Sequence, residues 1–221
     1  MRKVFYKHII FDWNGTLLDD AKISYELCAK AFIEHGMGSI SFDEYKKELI
    51  YPVKDFYVQH GFDDTKFDYS KLAAVYHERY MKDLDKLSLF SDVKEILEFL
   101  KSNNVTLSIL SALEQNMLVN SVKKFGIYDY FDDVRGLKDM NAGSKVDNAR
   151  IWLNSTNYKN NEVLMIGDTA HDSEVAKALG INCLLVARGD QHKDTLLKTG
   201  YEVFDSLKEV IEYFKKEYYN L

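Results

Sequence analysis

The sequence predicts an α/β fold in which a parallel sheet is flanked by helices and an all-helical cap domain is inserted after the first strand. Two observations support this prediction. Short apolar runs typical of strands alternate with segments whose apolar residues recur at helical spacing. The stretch after the first strand is long and shows helical spacing alone. A chain of 221 residues can hold one such domain and a modest insertion.

The strand candidates are short apolar runs separated by helical segments. They are Val4–Phe11, Val105–Leu110, Val163–Ile166, Cys183–Val186 and Tyr201–Phe204. Spacing of i, i+3, i+4 and i+7 predicts a helix that starts after Ser91 and Asp92, either of which could cap it, and that buries Val93, Ile96, Leu97 and Leu100. The same spacing predicts a last helix, capped by Ser206, with Leu207, Val210, Ile211, Phe214 and Tyr218 on its apolar face.

Residues 19–85 are too many for a simple connection, because a crossover between parallel strands needs only a dozen or more residues. The helix candidates of this segment are Ala21–His35, Ser41–Ile50, Val53–His60 and Lys66–Lys82. We therefore predict a helical cap domain over residues 19–85 and an α/β core formed by residues 1–18 and 86–221. The aromatic residues of the cap are expected to build its own core, with a wall facing a substrate as the alternative; they include Phe56, Tyr57, Phe62, Phe67, Tyr69, Tyr76 and Tyr80.

The composition argues against nucleic acid and anionic membranes as partners. The net charge is −6, whereas such partners need clustered basic residues. No apolar segment approaches the ~18 residues of a membrane span, and the N-terminus lacks the pattern of a signal peptide. We expect a soluble, cytoplasmic monomer or homodimer in which Cys28 and Cys183 are reduced and buried.

Four motifs follow, or begin, predicted core elements. Asp12–Thr16 (Asp-Trp-Asn-Gly-Thr) comes directly after the first strand, and Ser111 directly after the second. Lys145 starts a helix-like segment, and Gly167–Asp172 (Gly-Asp-Thr-Ala-His-Asp) follows the third strand. In an open α/β sheet, ligands bind beyond the carboxyl ends of the strands. The three motifs that follow strands are therefore expected to converge on one crevice.

The residue types in these motifs fit attack by a carboxylate on a phosphoryl group. Such an attack is opposed by charge repulsion, which a divalent cation and a lysine can offset. Asp12 and Asp168 supply carboxylates from strand ends, and Mg²⁺ prefers oxygen ligands. Asp172, four residues after Asp168, would face the same side of a helix. Ser111 could hold phosphate oxygens and Lys145 could act as a point charge, so we expect Mg²⁺ and a small phosphorylated substrate.

With these motifs in this order, the chain resembles the haloacid dehalogenase (HAD) superfamily over essentially its whole length, and in particular phosphoglycolate-phosphatase-like enzymes with a helical cap. The resemblance implies a Rossmann-like core and a phosphoric monoester phosphatase that forms an aspartyl-phosphate on Asp12, while Thr16 supports the loop. It implies catalytic roles for Asp12, Asn14 and Lys145, substrate binding by Thr16, Ser111, Ala112 and Lys145, and Mg²⁺ ligation by Asp12, the main-chain carbonyl of Asn14, Asp168 and Asp172.

Asn14 departs from the pattern that the resemblance implies. These phosphatases normally carry an aspartate there, which protonates the leaving group and then activates water. An amide has no proton to exchange at neutral pH, and losing acid–base help costs about 10²–10⁴-fold in rate. The alternatives are slow hydrolysis, a preference for good leaving groups, a phosphomutase, a phosphometabolite-binding protein, or a phosphonate hydrolase whose Schiff base would form on Lys22, Lys46, Lys47 or Lys54.

His171 lies between the two aspartates of the fourth motif and could in principle replace the missing acid. Histidine exchanges a proton near neutral pH. Its position in a first helical turn, however, directs it away from the face that carries Asp168. We therefore expect His171 on the protein surface.

Overall fold

The computed structural model describes residues 6–63, 65–138 and 145–219. In chain order the strands are β1 His8–Phe11, β2 Leu18–Asp19, β3 Ser88–Leu89, β4 Thr106–Glu114, β5 Asp133–Leu137, β6 Val163–Gly167, β7 Asn182–Val186 and β8 Glu202–Phe204. The helices are α1 Ala21–Glu34, α2 Phe42–Glu48, α3 Val53–Gln59, α4 Tyr69–Asp83, α5 Val93–Ser102, α6 Gln115–Lys124, α7 Lys145–Asn154, α8 Ala170–Leu179, α9 Lys193–Leu197 and α10 Leu207–Phe214. Helices alternate with strands through the second half, as predicted.

The main sheet has the strand order β5-β4-β1-β6-β7-β8, and its paired strands are parallel. β1 lies between β4 and β6, so that Phe11 pairs with Ile109 on one side and with Ile166 on the other. The carboxyl ends of β1 and β6 therefore lie side by side. The sheet and its flanking helices confirm the predicted α/β, Rossmann-like fold class.

The two faces of the sheet bury alternate residues of β1. Ile9 and Phe11 belong to a cluster with the apolar faces of α5 and α10, whereas Ile10 packs on the opposite face with residues of α7 and α8. Strands that are covered on both faces become continuous apolar runs, which is why β1 and β6 could be recognised in the sequence. The sheet core thus fixes the strand ends from which the first and fourth motifs emerge.

Three of these strands, β2, β3 and β5, were not predicted from the sequence. β5 is an edge strand in which only Val134 and Gly136 are buried, between residues that include the charged Asp133 and Arg135, so no apolar run marks it. β2 and β3 form a two-residue antiparallel ribbon that is too short to show a pattern. The predicted strand Val4–Phe11 begins outside the described residues, and its described part forms a strand from His8 onward.

Helices α1–α4 lie between β2 and β3, and each predicted cap segment overlaps one of them, although α4 ends one residue later than predicted. Most of their buried apolar residues, Phe56 among them, form a cluster of their own, whereas Leu27 and Tyr80 belong to a cluster of the sheet core. Two helices start later than predicted because Ser41 and Asp68 are N-caps, which accept hydrogen bonds from main-chain N–H groups of the first turn. The domain boundaries at 19 and 85 stay a prediction. Both cysteines are free and buried, as expected, and no helix within the described ranges has the length and apolarity of a membrane span.

Asp92 occupies the N-cap position of α5, but its side chain does not cap that helix. Its carboxylate instead accepts hydrogen bonds from the Leu207 N–H at 2.9 Å and from Arg188 Nη1 at 2.6 Å. Arg188 also donates from Nη2 to the carbonyl of Thr16 at 2.7 Å. The capping prediction for Asp92 was therefore wrong about its target, because this carboxylate links the start of α10 to the loop after β1. Ser206 does cap α10, as predicted.

Replacement of Asp92 by alanine should lower the free energy of unfolding by about 3 kcal/mol, because Arg188 would remain buried without its counter-charge. Urea unfolding near neutral pH measures this loss. Lys94→Ala, an exposed position on α5, is the matched control and should behave like the unmodified protein. A loss of less than about 1 kcal/mol for Asp92→Ala, the range of exposed ion pairs, would contradict the buried role of this pair.

Candidate active site

The polar residues that follow the central strands meet at one edge of the sheet. Asp12 follows β1 and Asp168 follows its neighbour β6, and the Asp12 N–H donates to the Ile166 carbonyl at 2.9 Å. Ser111 comes from β4, on the other side of β1. It lies within that strand rather than after it, because β4 continues with a shift of register to Glu114. The structure thus brings these three motifs to one crevice.

Lys145 joins two of the predicted carboxylates. It is the first residue of α7, and its Nζ donates to Asp12 Oδ1 and to Asp172 Oδ1, each at 2.5 Å. All three residues are buried. Burial alone would lower the pKa of Lys145, but the two carboxylates outweigh it and raise that pKa above its ordinary value. The ammonium is therefore a fixed positive charge beside Asp12.

Asp172 is held by its own helix as well as by Lys145. Its Oδ2 accepts hydrogen bonds from the Thr169 N–H at 3.0 Å and from the Thr169 hydroxyl at 2.8 Å, at the N-terminus of α8. Burial would raise the pKa of Asp172, but Lys145 and Thr169 outweigh it and hold that pKa below its ordinary value. A Cβ at Gly167 would lie 2.2 Å from the carboxyl carbon of Asp172, so this position requires glycine.

Asp168 is fully buried and accepts hydrogen bonds at both oxygens. The Thr16 hydroxyl donates to Oδ1 at 2.8 Å, and the Asp190 N–H donates to Oδ2 at 2.7 Å. Two glycines close in on the same carboxylate, since a Cβ at Gly15 or Gly189 would lie 2.3 or 2.0 Å from Oδ2. Burial raises the pKa of Asp168 well above its ordinary value, and a cation beside it would have the opposite effect.

The three aspartates form a group that fits a divalent cation. Asp12, Asp168 and Asp172 each offer one carboxylate oxygen, and these atoms lie within 4.8 Å of one another. Oxygen donors of this kind suit a hard cation such as Mg²⁺. Lys145 is a single positive charge among three carboxylates, so the local charge balance also favours a further cation. The main-chain carbonyl of Asn14 stays a predicted ligand.

Asn14 lies in a hydrogen-bond network that ties the first loop to the cap. Its Nδ2 donates to Asp20 Oδ2 at 2.6 Å and to the Tyr80 hydroxyl at 2.8 Å, and Tyr80 donates to the same Asp20 oxygen at 2.6 Å. The Gly15 N–H donates to Asp20 Oδ1 at 2.8 Å. Ser111 Oγ lies 3.5 Å from Asn14 Oδ1. The amide is thus oriented by the protein on both sides.

A cavity of about 230 Å³ separates the sheet edge from the cap. Its wall includes five residues that the sequence analysis had placed in the site: Asp12, Asn14, Ser111, Ala112 and Lys145. The structure does not support the prediction that Thr16 binds substrate. Thr16 is fully buried, its hydroxyl donates to Asp168, and it is not among the described residues that line the cavity. Asp168 and Asp172 are not among the described residues that line the cavity. They are buried next to it, where Asp168 accepts a hydrogen bond from Thr16 and Asp172 accepts one from Lys145.

The cap side of the cavity is formed largely by aromatic rings. Five of the seven aromatic residues singled out in the sequence belong to the wall, namely Phe56, Tyr57, Tyr69, Tyr76 and Tyr80, and Tyr45 and Tyr51 add two more. Several of them are also part of the cap core. The expectation that these residues mainly build the cap core was therefore incomplete, since the same rings face the cavity.

His171 is not a plain surface residue, contrary to expectation. It belongs to the cavity wall and stacks on Tyr51 of the cap, with ring centroids 5.2 Å apart and planes at 15°. Its Nδ1 lies 3.1 Å from a carboxylate oxygen of Glu174. The cap, whose position the helix pattern could not give, contacts this first turn of α8 and leaves the His171 side chain half-buried.

Two further acidic residues, Asp20 and Asp190, escaped the sequence analysis. Asp20 precedes α1 and has the local pattern of a helix cap, but its side chain makes no capping bond and turns to Asn14 instead. Asp190 lines the cavity and accepts a hydrogen bond from Tyr45 at 3.4 Å. Burial raises the pKa of Asp190 to about 8. The Gly189-Asp190 pair a few residues beyond β7 was a signal that could have pointed to this position.

The chain is similar in sequence to several known proteins. A sequence model described as haloacid dehalogenase-like hydrolase matches residues 9–186. The tyrosine-protein kinase PtkA of Mycobacterium tuberculosis is 28% identical over 131 residues, which cover 56% of this chain and 45% of that one, so the match spans about half the length of that relative. A phosphoglycolate phosphatase of Vibrio parahaemolyticus is 25% identical over 217 residues, covering 93% of this chain and 95% of that one.

The fold is also found among solved structures. The crystal structure of a predicted phosphatase from Clostridium acetobutylicum has a TM-score of 0.79 and 20% sequence identity, and the match covers 96% of this chain and 100% of that one. At this level of identity the likeness shows the fold alone. The chain therefore shares its overall fold with that protein.

Replacement of Lys145 by methionine should destabilise the protein more at about pH 8 than at about pH 5. In the unmodified protein Lys145 holds the pKa of Asp172 below its unfolded value, so this carboxylate contributes stability above that value. Without the ammonium, burial raises the pKa of Asp172 above its unfolded value. The variant therefore loses stability as the pH rises through that raised pKa. We expect a loss of about 3 kcal/mol at the higher pH.

Urea unfolding without divalent cations at both pH values measures this difference. Lys177→Met, an exposed position on α8, is the matched control. An equal loss at both pH values would show that Lys145 contributes by packing alone.

Proposed function

Because the chain belongs to the haloacid dehalogenase-like hydrolase family, we propose that it is a Mg²⁺-dependent phosphatase that transfers the phosphoryl group of a small phosphorylated metabolite to Asp12 and then to water. The observation that carries this proposal is the position of Asp12. Its carboxylate borders the cavity, lies 2.5 Å from the ammonium of Lys145 and belongs to a group of three aspartates that fits a cation. The phosphoglycolate phosphatase relative supports the reaction class.

In the first step an oxygen of Asp12 attacks phosphorus, and the bond between phosphorus and the ester oxygen breaks. The leaving oxygen keeps the electron pair and, unless it is stable as an anion, takes a proton from water. Water then attacks phosphorus, the bond to the Asp12 oxygen breaks, and the free carboxylate and inorganic phosphate form. Lys145 offsets the repulsion between the carboxylate and the phosphoryl oxygens in both steps.

Asp12, Asp168 and Asp172 are the residues that would hold Mg²⁺. When bound, the cation would supply Lewis-acid stabilisation of the negative charge on the phosphoryl oxygens. Thr16 and the Asp190 N–H keep Asp168 in place for this role, and Thr169 does the same for Asp172. Ser111, which borders the cavity, is available to donate a hydrogen bond to a phosphoryl oxygen.

The network around Asn14 favours a second candidate, a phosphometabolite-binding protein with slow turnover. Both protons of the amide are directed to Asp20 and Tyr80, so Asn14 cannot supply the proton that a poor leaving group needs. A phosphonate hydrolase is less well supported, because no lysine of the cap lines the described cavity wall. For either candidate, the acidic chain and the enclosed cavity favour a small molecule over nucleic acid as the partner.

Asp12→Asn should abolish Mg²⁺-dependent hydrolysis of 4-nitrophenyl phosphate, with a loss of about 10³-fold or more, because the amide is not a nucleophile. Asp19→Asn, an exposed carboxylate in the same segment, is the control and should retain the rate. Mass spectrometry of acid-quenched unmodified enzyme should locate a phosphoryl group on the peptide that contains Asp12. A Mg²⁺-dependent rate that persists in Asp12→Asn would refute the proposal.

A further inference from the structure

The part of the cavity wall that the cap contributes is mainly aromatic and aliphatic, and Ser24, Cys28 and His77 are its other side chains. Its rings come from three cap helices and the loop between α2 and α3, and they are Tyr45, Tyr51, Phe56, Tyr57, Tyr69, Tyr76 and Tyr80. Leu49, Val53 and Leu72 fill the spaces between them. An aromatic wall favours an apolar or aromatic group, because rings pair at their faces and edges as well as burying area. The wall thus indicates what the non-phosphate part of a substrate looks like.

Most of the tyrosine hydroxyls in this wall already have partners inside the protein. The pairs are Tyr45 with Asp190, Tyr57 with Cys28, Tyr76 with Ser24 and Tyr80 with Asp20. Hydroxyls that bond within the protein are less available to a polar substrate. These four residues therefore offer mainly ring surface to a ligand.

Positive charge is scarce in the same wall. Among the described residues that line the cavity, Lys145 is the only lysine or arginine, and its ammonium already bonds to Asp12 and Asp172. Of the two histidines in the wall, His171 is stacked on Tyr51 and lies beside Glu174. Burial lowers the pKa of the other, His77, and so favours its neutral form. A substrate with a carboxylate or a second phosphate would have to bury that charge without a dedicated cation, which is costly. The wall therefore disfavours a second anionic group.

Asn14 limits the leaving group independently of the wall. The amide has no proton to give, and both of its N–H groups are directed to Asp20 and Tyr80. A phenol, with a pKa of about 10, leaves far more readily as an anion than an aliphatic alcohol, whose pKa is close to the ~15.7 of water. An aromatic hydroxyl compound is thus a leaving group that this site can expel without acid catalysis.

We infer that the substrate of this site is the phosphate monoester of an aromatic hydroxyl compound without a second anionic group. This inference rests on the proposed phosphatase function and adds the chemical class of its substrate. The cavity is large enough for a single ring, because about 230 Å³ exceeds the ~150 Å³ of an apolar cavity that holds benzene. An aromatic wall could also hold a quaternary ammonium, but choline phosphate has an alkoxide leaving group, which Asn14 disfavours.

Steady-state assays of four phosphate esters with Mg²⁺ test the ring, the leaving group and the second charge one at a time. Phenyl phosphate has the ring and the phenol, benzyl phosphate has the ring with an alkoxide, 4-carboxyphenyl phosphate adds a carboxylate, and choline phosphate replaces the ring with a cation. We expect kcat/KM for phenyl phosphate to exceed that for benzyl phosphate by about 10²-fold, within the range of lost acid catalysis. It should exceed that for 4-carboxyphenyl phosphate by about tenfold.

Two variants test the causes of these differences. Asn14→Asp places an acid at the departing position, next to Asp20, and should raise the rate for benzyl phosphate selectively. Val53→Lys adds a cation to the cavity wall and should reverse the preference between phenyl phosphate and 4-carboxyphenyl phosphate. Val58→Lys is its matched control, because Val58 lies on the same helix but is exposed and outside the described wall. That control should leave the preference unchanged.

The outcomes distinguish this inference from the proposed function. Equal rates for phenyl and benzyl phosphate would mean that another group, such as Asp190, protonates the leaving oxygen, and would overturn the leaving-group argument. Preference for 4-carboxyphenyl or choline phosphate would overturn the argument from the wall. If no ester is hydrolysed, the phosphatase proposal fails. Thermal-shift titration with phenylphosphonate and 4-carboxyphenylphosphonate then still tests which ligand the wall prefers. Tighter binding of phenylphosphonate supports the inference, and tighter binding of 4-carboxyphenylphosphonate overturns it.

Discussion

The arrangement of the site depends on three carboxylates and one ammonium that are buried together at the carboxyl ends of β1 and β6. Lys145 neutralises part of this charge through Asp12 and Asp172. Within the described residues, the donors to Asp168 are neutral, namely the Thr16 hydroxyl and the Asp190 N–H. A buried group with excess negative charge is unfavourable unless a cation or protons complete it. This imbalance is why the site fits a hard divalent cation such as Mg²⁺. In the proposed reaction that cation would also offset the negative charge of the phosphoryl group.

Much of the surrounding fold serves to hold these groups in place. The parallel register aligns the ends of β1 and β6, and the glycines next to Asp168 and Asp172 let the main chain approach the carboxylates closely. Asp92 and Arg188 extend this support, since they connect the loop after β1 to the start of α10. The side chains of the site are therefore positioned by several elements that are distant in sequence, and these contacts restrict their geometry.

The sequence was sufficient to predict the fold class and the residues at the strand ends, because buried parallel strands leave apolar runs and polar residues directly after them are conspicuous. The sequence was not sufficient to predict the role of a residue whose partners lie far away in the chain. β5 has too few apolar residues to be recognised, and Asp92 caps a helix far along the chain rather than its own. Thr16 supports Asp168 instead of reaching the cavity. The roles of Asp20, Asp190 and His171 also depend on tertiary contacts. They can be recognised only once the position of the cap over the sheet edge is known.

The central claim, that the buried aspartates bind a divalent cation, is tested most directly by the thermal unfolding midpoint with and without Mg²⁺ at about pH 5.5 and about pH 8. Burial raises the pKa of Asp12 from 3.8 to about 7, so without a cation its contribution to stability is present below the unfolded value and is lost as the pH rises through about 7. Mg²⁺ must displace these protons and therefore binds the ionised form. The account predicts a clearly larger Mg²⁺-induced rise of the midpoint at the higher pH. No rise at either pH, or an equal rise at both, would contradict it.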